Sequence, residues 1–142
     1  MFIKPSILMV IIACTGTVFS STTQAEVAVI VNSANAAAIS DSDLSRLFLG
    51  KLKQFSSGNK AIPVNQKFGS NVRKEFEQKV LKKSSRQVKA YWSKRLFSGK
   101  GKPPKELSSD QDIISQVASD KNAIGYVDAS KVDDSVKILR KF

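Results

Sequence analysis

Apolar runs alternate with amphipathic segments along most of the chain, and this alternation predicts its secondary structure. The first run, residues 27–32, is rich in β-branched residues without polar interruption until its end, which is typical of a strand buried on both faces of a parallel sheet. Three further runs are predicted to be strands: 61–64, 123–127 and 136–139. Because Pro63 cannot donate a ladder hydrogen bond, we expect it at a sheet edge or a strand end.

Four amphipathic segments between these runs have the spacing of α-helices. Ser40 and Asp43 form a capping pattern before the first, which is expected to stop at Gly50. The second opens at 69–71, and the fourth begins within the polar residues 108–112. The expected apolar positions of the third helix are Val88, Tyr91, Trp92 and Leu96. Strands that alternate with helices predict an α/β fold with right-handed crossovers.

The first 25 residues have the order of a secretory signal peptide. A single charge at Lys4 precedes an apolar run at 7–13 and a small, polar stretch, and the run is too short for a membrane span of about 20 residues. We predict cleavage between Ala25 and Glu26 and export to the periplasm. The alternative is a lipoprotein signal that leaves an acylated Cys14 anchored to a membrane.

Composition restricts the chemistry of the remaining residues, 26–142. Their number suits one domain with a core of its own. The chain contains no histidine, and its one cysteine, Cys14, lies inside the predicted signal peptide. A disulfide, a Ser-His-Asp or Cys-His nucleophile and the usual zinc ligands are therefore excluded. We predict a protein that is not an enzyme and that needs no cofactor or metal.

Basic residues are concentrated in one stretch of the chain. The net charge is +11, and the segment from Lys67 to Lys105 contains thirteen basic and two acidic residues. A field of this sign favours anionic partners. Tyr91 and Trp92 among these cations resemble a base-stacking platform, but their helical spacing favours a core position for Trp92, and nucleic acid is not an expected partner outside the cytoplasm.

Several short motifs follow one another in the order of a known protein family. They are the strand at 27–32, Leu-x-x-Leu-Phe-x-Gly-Lys at 44–51, Phe55 with Gly58, Pro-Val at 63–64, Gly-Ser-Asn-Val-Arg-x-x-Phe at 69–76, Trp92, Gly-x-Gly-x-Pro at 99–103, and Val117 before Ala-Ile-Gly-Tyr-Val at 123–127. In this order they resemble the phosphate-type substrate-binding proteins of ABC transporters. The resemblance implies a single lobe of a type II periplasmic binding protein, with three layers and a mixed, mostly parallel sheet flanked by helices.

The same resemblance implies an anion-binding site at the 69–71 turn. Its candidate residues are Gly69, Ser70, Asn71, Arg73 and Gln66. The site departs from the family pattern, because Gln66 replaces an arginine and the residues after Ser70 are not the usual glycine and threonine. The lobe that would cover the anion is also missing, so we expect weak binding. The alternative is that Ser70 or Asn71 only caps a helix.

Two functions follow from these features. The first is that of a periplasmic phosphate or oxyanion-binding protein, a substrate-binding protein of a phosphate ABC transporter, with an ABC permease as partner. The alternative is a periplasmic accessory protein that uses the basic segment to dock acidic protein partners. A homodimer with two Ser70 loops face to face would rebuild a cleft.

Overall fold

The computed structural model describes residues 25–142 together with Gly16 and Val18, and the predicted signal peptide lies almost wholly outside these described residues. The strands are β1 (Val27–Asn32), β2 (Ile62–Gln66), β3 (Lys105–Leu107), β4 (Ala123–Asp128) and β5 (Val136–Lys141). The α-helices are α1 (Asp41–Phe48), α2 (Asn71–Phe76), α3 (Ser85–Phe97) and α4 (Asp110–Ser119). None of the helices in this part of the chain is long and apolar enough to cross a membrane.

The five strands form one mixed sheet in the order β3-β2-β4-β1-β5. β2 is parallel to β3 and β4, whereas β1 is antiparallel to both of its neighbours. Four of the five strands therefore run in the same direction, which confirms the mixed, mostly parallel sheet. The expectation of a parallel neighbourhood for β1 is wrong, although all its residues are buried. An apolar run indicates that both faces of a strand are covered. It does not indicate whether the strand is parallel or antiparallel to its neighbours.

Helices cover both faces of the sheet, which confirms the three-layer α/β architecture. The odd-numbered residues of β1 pack with the apolar residues of α1, α2 and α3, and its even-numbered residues pack with those of α4. This separation follows from the alternation of side chains along a strand. Each α-helix begins at a serine whose hydroxyl accepts a backbone hydrogen bond: Ser40, Ser70, Ser84 and Ser109.

Two details differ from the sequence-based expectations, and the position of Pro63 decides between two expected alternatives. β3 was not predicted, because it has only three residues and follows two prolines, so it has no apolar pattern of its own. Pro63 is the second residue of an interior strand, which confirms the strand-end alternative and excludes the edge. The second helix is divided into α2 and a π-helical turn, Glu77–Leu81, which Lys82 closes in a left-handed conformation (φ 55°).

The apolar face of α3 is shorter than its sequence spacing suggested. Val88 and Trp92 are buried, and this confirms Trp92 as a core residue. Leu96 is 61% exposed and Phe97 is 94% exposed, so the predicted apolar position at Leu96 is wrong. The apolar side chains of the last turn of α3 are thus left largely uncovered by the other elements of residues 25–142.

Tyr126 joins β4 to β2 at the end of the sheet where α2 begins. Its ring stacks on Phe76 with a centroid distance of 3.8 Å, and its hydroxyl donates to Asn65 Oδ1 (2.9 Å) while it accepts from the Gln66 amide (3.3 Å). Burial raises the pKa of Tyr126, so the phenol stays protonated and can donate. The position of the chain at Gln66 therefore depends on this hydroxyl.

We predict that Tyr126→Phe lowers the free energy of unfolding by about 1 to 3 kcal/mol, because it leaves buried partners on Asn65 and Gln66 unsatisfied. Tyr91→Phe is the matched control: its hydroxyl donates to the Leu49 carbonyl at a half-buried position that water can reach, so its cost should stay below about 1 kcal/mol. Urea denaturation of both variants measures the difference, and equal losses would contradict the role given to Tyr126.

Candidate anion-binding site

The candidate site is the turn that connects β2 to α2. After Gln66 the chain reverses through Gly69, which has a left-handed backbone conformation (φ 84°) that suits glycine. The Ser70 amide donates to the Lys67 carbonyl (3.2 Å), and the Ser70 hydroxyl oxygen accepts from the Arg73 amide (3.3 Å). Ser70 is therefore the N-cap of α2, as the structural alternative predicted, and the turn is held at both ends.

Several hydrogen-bond donors at this turn remain free. The amides of Asn71 and Val72 have no backbone acceptor within residues 25–142, as is usual for the first amides of a helix. The Ser70 hydroxyl uses only its oxygen in the cap, so its hydrogen can still be donated. Asn71 is exposed, and its side-chain amide adds further donors. Together these groups can contact one small oxyanion from one side.

Arg73 follows the turn by one helical turn, but its guanidinium is committed inside the protein. Its side chain is 6% exposed, and Nη1 donates to the Gln66 carbonyl (3.0 Å) and to Glu106 Oε1 (2.5 Å). Nε lies 3.6 Å from Glu77 Oε2. Two carboxylates thus surround one guanidinium, so Arg73 brings no uncompensated positive charge to the turn.

Glu77 is the second buried member of this group and was not singled out in the sequence. It is 1% exposed, and its Oε1 accepts from the Ser85 hydroxyl (2.8 Å) at the start of α3. Arg73 Nε and Glu77 Oε2 face each other, and neither has a hydrogen-bond partner within residues 25–142, so each is stabilised by the opposite charge of the other. The i to i+4 spacing of the two residues was the available sequence signal, but the same spacing occurs in many exposed pairs.

Gln66 is also engaged within the protein. It is 3% exposed, and its Nε2 donates to the Tyr126 carbonyl (3.2 Å) and to Asp110 Oδ1 at the start of α4. Its side chain therefore ties β2 to β4 and α4. Of the five candidate residues, Gly69, Ser70 and Asn71 lie together at the accessible turn, whereas Arg73 and Gln66 are buried and bind partners within the protein.

The surface around the turn is strongly basic. Nine of the thirteen basic residues between Lys67 and Lys105 are exposed, and Arg73 is the buried one. Phe68, beside the turn, lies between two cations, with its ring centroid 5.3 Å from Arg73 Cζ and 5.6 Å from Lys89 Nζ. Within residues 25–142, no three side chains of Asp, Glu, His or Cys are close enough to hold a metal ion.

Comparison with solved structures relates this geometry to known proteins. An ABC-type phosphate transport receptor from Vibrio cholerae superposes with a TM-score of 0.63 and 19% sequence identity, over 82% of this chain and 47% of the receptor. PstS from Borrelia burgdorferi superposes with a TM-score of 0.59 and 14% identity, over 81% of this chain and 47% of PstS. The fold is that of part of a phosphate-binding transport protein.

A third structure with this fold contains the anion itself. It is a substrate-binding protein assigned to a phosphate ABC transporter of Clostridium perfringens, solved with bound phosphate (TM-score 0.62, 21% identity, 82% of this chain, 45% of the other). The chain thus spans less than half the length of each of these proteins. No family model and no curated protein matches the sequence. These comparisons confirm the single-lobe fold expected from the motifs.

We predict that Arg73→Met lowers the free energy of unfolding by about 3 to 5 kcal/mol, because it leaves the Glu77 carboxylate buried without a counter-charge. Arg46→Met is the control: Arg46 pairs with Asp43 at half-exposed positions, and its loss should cost no more than about 1 kcal/mol. Urea denaturation measures both. Adding Glu77→Met to Arg73→Met should recover part of the lost free energy of unfolding. A double variant that is less stable than Arg73→Met alone would contradict the pairing.

Proposed function

We propose that this protein is an exported binding protein for inorganic phosphate or a similar oxyanion, which it contacts at the 69–71 turn. One observation carries the proposal: free amides and a hydroxyl converge at the start of α2, on a fold shared with proteins named for phosphate transport and with one solved with phosphate. Helix starts bind anions because their first amides lack partners and carry partial positive charge.

Arg73 and Gln66 bind partners inside the protein, and this limits how strongly the turn can bind an anion. A phosphate cage is selective when every oxygen meets a donor, and charged donors are the strongest of them. Arg73 already satisfies two carboxylates, so the turn offers neutral donors and the more distant lysines. An anion held on one side stays half solvated, and we infer a dissociation constant of about a millimolar.

A second surface would be needed to enclose the anion. We propose that a binding partner supplies this surface. It would be an ABC permease, or a second copy of this chain with its Ser70 turn opposite the first. In the second arrangement the two turns form a homodimeric cleft.

We predict that Ser70→Ala and Asn71→Pro each weaken phosphate binding about tenfold in isothermal titration, since a hydrogen bond to a charged group contributes about 1.5 kcal/mol. Proline is well tolerated at the first position of a helix, and the extended backbone of Ser70 (ψ 149°) is compatible with a following proline. Asn71→Pro therefore removes the backbone N–H and the side-chain amide of Asn71 without breaking α2.

The corresponding residues of α1 provide matched controls. Ser40→Ala removes an equivalent N-cap, and Asp41→Pro places proline at the equivalent first position. Both should leave the heat of phosphate binding unchanged, although the loss of the cap lowers stability by about 1 kcal/mol. Equal weakening in α1 and α2 variants, or no binding at millimolar phosphate in the unaltered protein, would overturn the proposed site.

A second candidate function rests on a different observation. The buried cation near the turn is neutralised, whereas nine basic residues of the Lys67 to Lys105 segment are exposed. Such a surface suits an accessory protein that docks acidic partners without transporting anything. A protein that gives no heat with phosphate but captures a salt-sensitive partner from a periplasmic extract would have this function instead.

We predict that intact-mass measurement of the exported protein gives the mass of residues 26–142, because residues 1–25 have the order of a cleavable signal peptide. Replacing Ala25 by a bulky residue, Ala25→Trp, should slow this cleavage, since the cleavage site requires small residues. A mass that begins at Cys14 and includes acyl chains would show a lipoprotein in place of a free periplasmic protein.

A further inference from the structure

Two neighbouring hollows share Trp92 and Pro103 on the surface of the protein. The larger, about 420 Å³, lies between the end of α1, the start of β2 and the loop before β3, and we call it the Trp92 hollow. The smaller, about 330 Å³, lies on the α3 side and includes Phe68 and Leu96. Both volumes fall in the range of about 300 to 1,000 Å³ that is usual for small-molecule sites.

The walls of the Trp92 hollow are mainly apolar. They include Leu47, Leu52, Ile62, Pro63, Trp92 and Pro103. Apolar walls with a few polar groups at the edge are the usual composition of a ligand site. Residues 66–73 do not line this hollow, so it is distinct from the turn at Ser70.

The hollow is held in shape by contacts around Trp92. Gly50 lies so close to the indole that a Cβ there would stand 3.0 Å from Trp92 Cη2. The Arg95 guanidinium lies 5.7 Å from the Trp92 ring and donates to the Lys100 carbonyl (3.2 Å). These contacts link the indole to the loop before β3.

All charged residues of the lining are lysines: Lys53, Lys60, Lys102 and Lys105. Each of them is exposed, and none has a carboxylate within 4 Å among residues 25–142. Four uncompensated cations around an apolar hollow produce a local field that an anion would neutralise.

We propose that the Trp92 hollow binds an amphipathic anion, with an alkyl chain or ring against Trp92 and a phosphate, sulfate or carboxylate group among the four lysines. The apolar walls contribute affinity through burial of the alkyl chain. The four lysines favour a head group that carries a negative charge. An inorganic anion lacks the apolar part, and an uncharged alcohol lacks the charge, so neither should fill the site.

The chain carries its own probe, because Trp92 is its only tryptophan. Trp92 is only 7% exposed, so titration of the purified protein with decyl phosphate, below micelle formation, should change the intensity of its emission in a saturable way. Hexyl phosphate should bind more weakly, by up to about fourfold for each methylene removed. Decanol should bind at least about tenfold more weakly than decyl phosphate, and inorganic phosphate should leave the emission unchanged.

Charge variants test the role of the lysines. Lys60→Glu with Lys102→Glu should weaken decyl phosphate binding at least about tenfold, because two attractive charges become repulsive. Lys131→Glu with Lys141→Glu is the matched control, since it changes the net charge equally at exposed positions away from the hollow. Equal weakening in both double variants would show a general charge effect and overturn the site.

A membrane is the other source of the same chemistry. Vesicles of phosphatidylglycerol present phosphate groups and acyl chains as a surface, whereas decyl phosphate is free in solution. A change in Trp92 emission with vesicles, but none with decyl phosphate, would overturn the hollow as a ligand site and indicate a membrane-binding face. Equal affinity for decanol and decyl phosphate would overturn the role of the four lysines.

Discussion

A guanidinium cannot lose its proton under ordinary conditions, so burying one requires counter-charges around it. Arg73 is buried, and the protein meets this requirement with Glu77 from the π-helical turn and Glu106 from β3. Glu77 in turn accepts from Ser85, at the start of α3. One buried cation therefore connects β2, β3, α2 and α3. Glu106 lies on β3, so this ion pair adds to the β2–β3 ladder that holds the short strand.

The same interaction determines the chemistry available at the candidate site. If Arg73 were free, its charge could contribute strongly to anion affinity, as charged donors do. Because it is neutralised within the protein, the turn offers the Ser70 hydroxyl and two neutral amides, together with a field from lysines that solvent screens. The Arg73 guanidinium thus stabilises the fold, and for the same reason its charge does not strengthen anion binding at the turn. The fold shared with phosphate-binding proteins does not change this conclusion. A shared fold shows how the backbone is arranged, and it does not show which side-chain donors are free to bind an anion.

The sequence predicted those parts of the fold that depend on local patterns. The serine caps, the burial of residues 27–32 and the core position of Trp92 each follow from a residue and its near neighbours. Features that depend on contacts distant in sequence were missed. The direction of β1 is set by its partners β4 and β5, and the pairing of Arg73 with Glu106 spans 33 positions. At the site, the motif located the turn, but it could not show that Gln66 and Arg73 already have partners.

The two proposed anion sites rely on different physics, and this difference explains how both can exist on one basic surface. The turn at Ser70 would hold a small, strongly hydrated ion through directional donors, and each donor must compensate for a water molecule that it displaces. The Trp92 hollow would gain affinity from apolar burial, while its lysines need only select an anionic head group. Inorganic phosphate has no apolar part to occupy the hollow, so the hollow should favour amphiphiles over the inorganic ion. The basic segment therefore attracts anions in general, and the local geometry at each site selects among them.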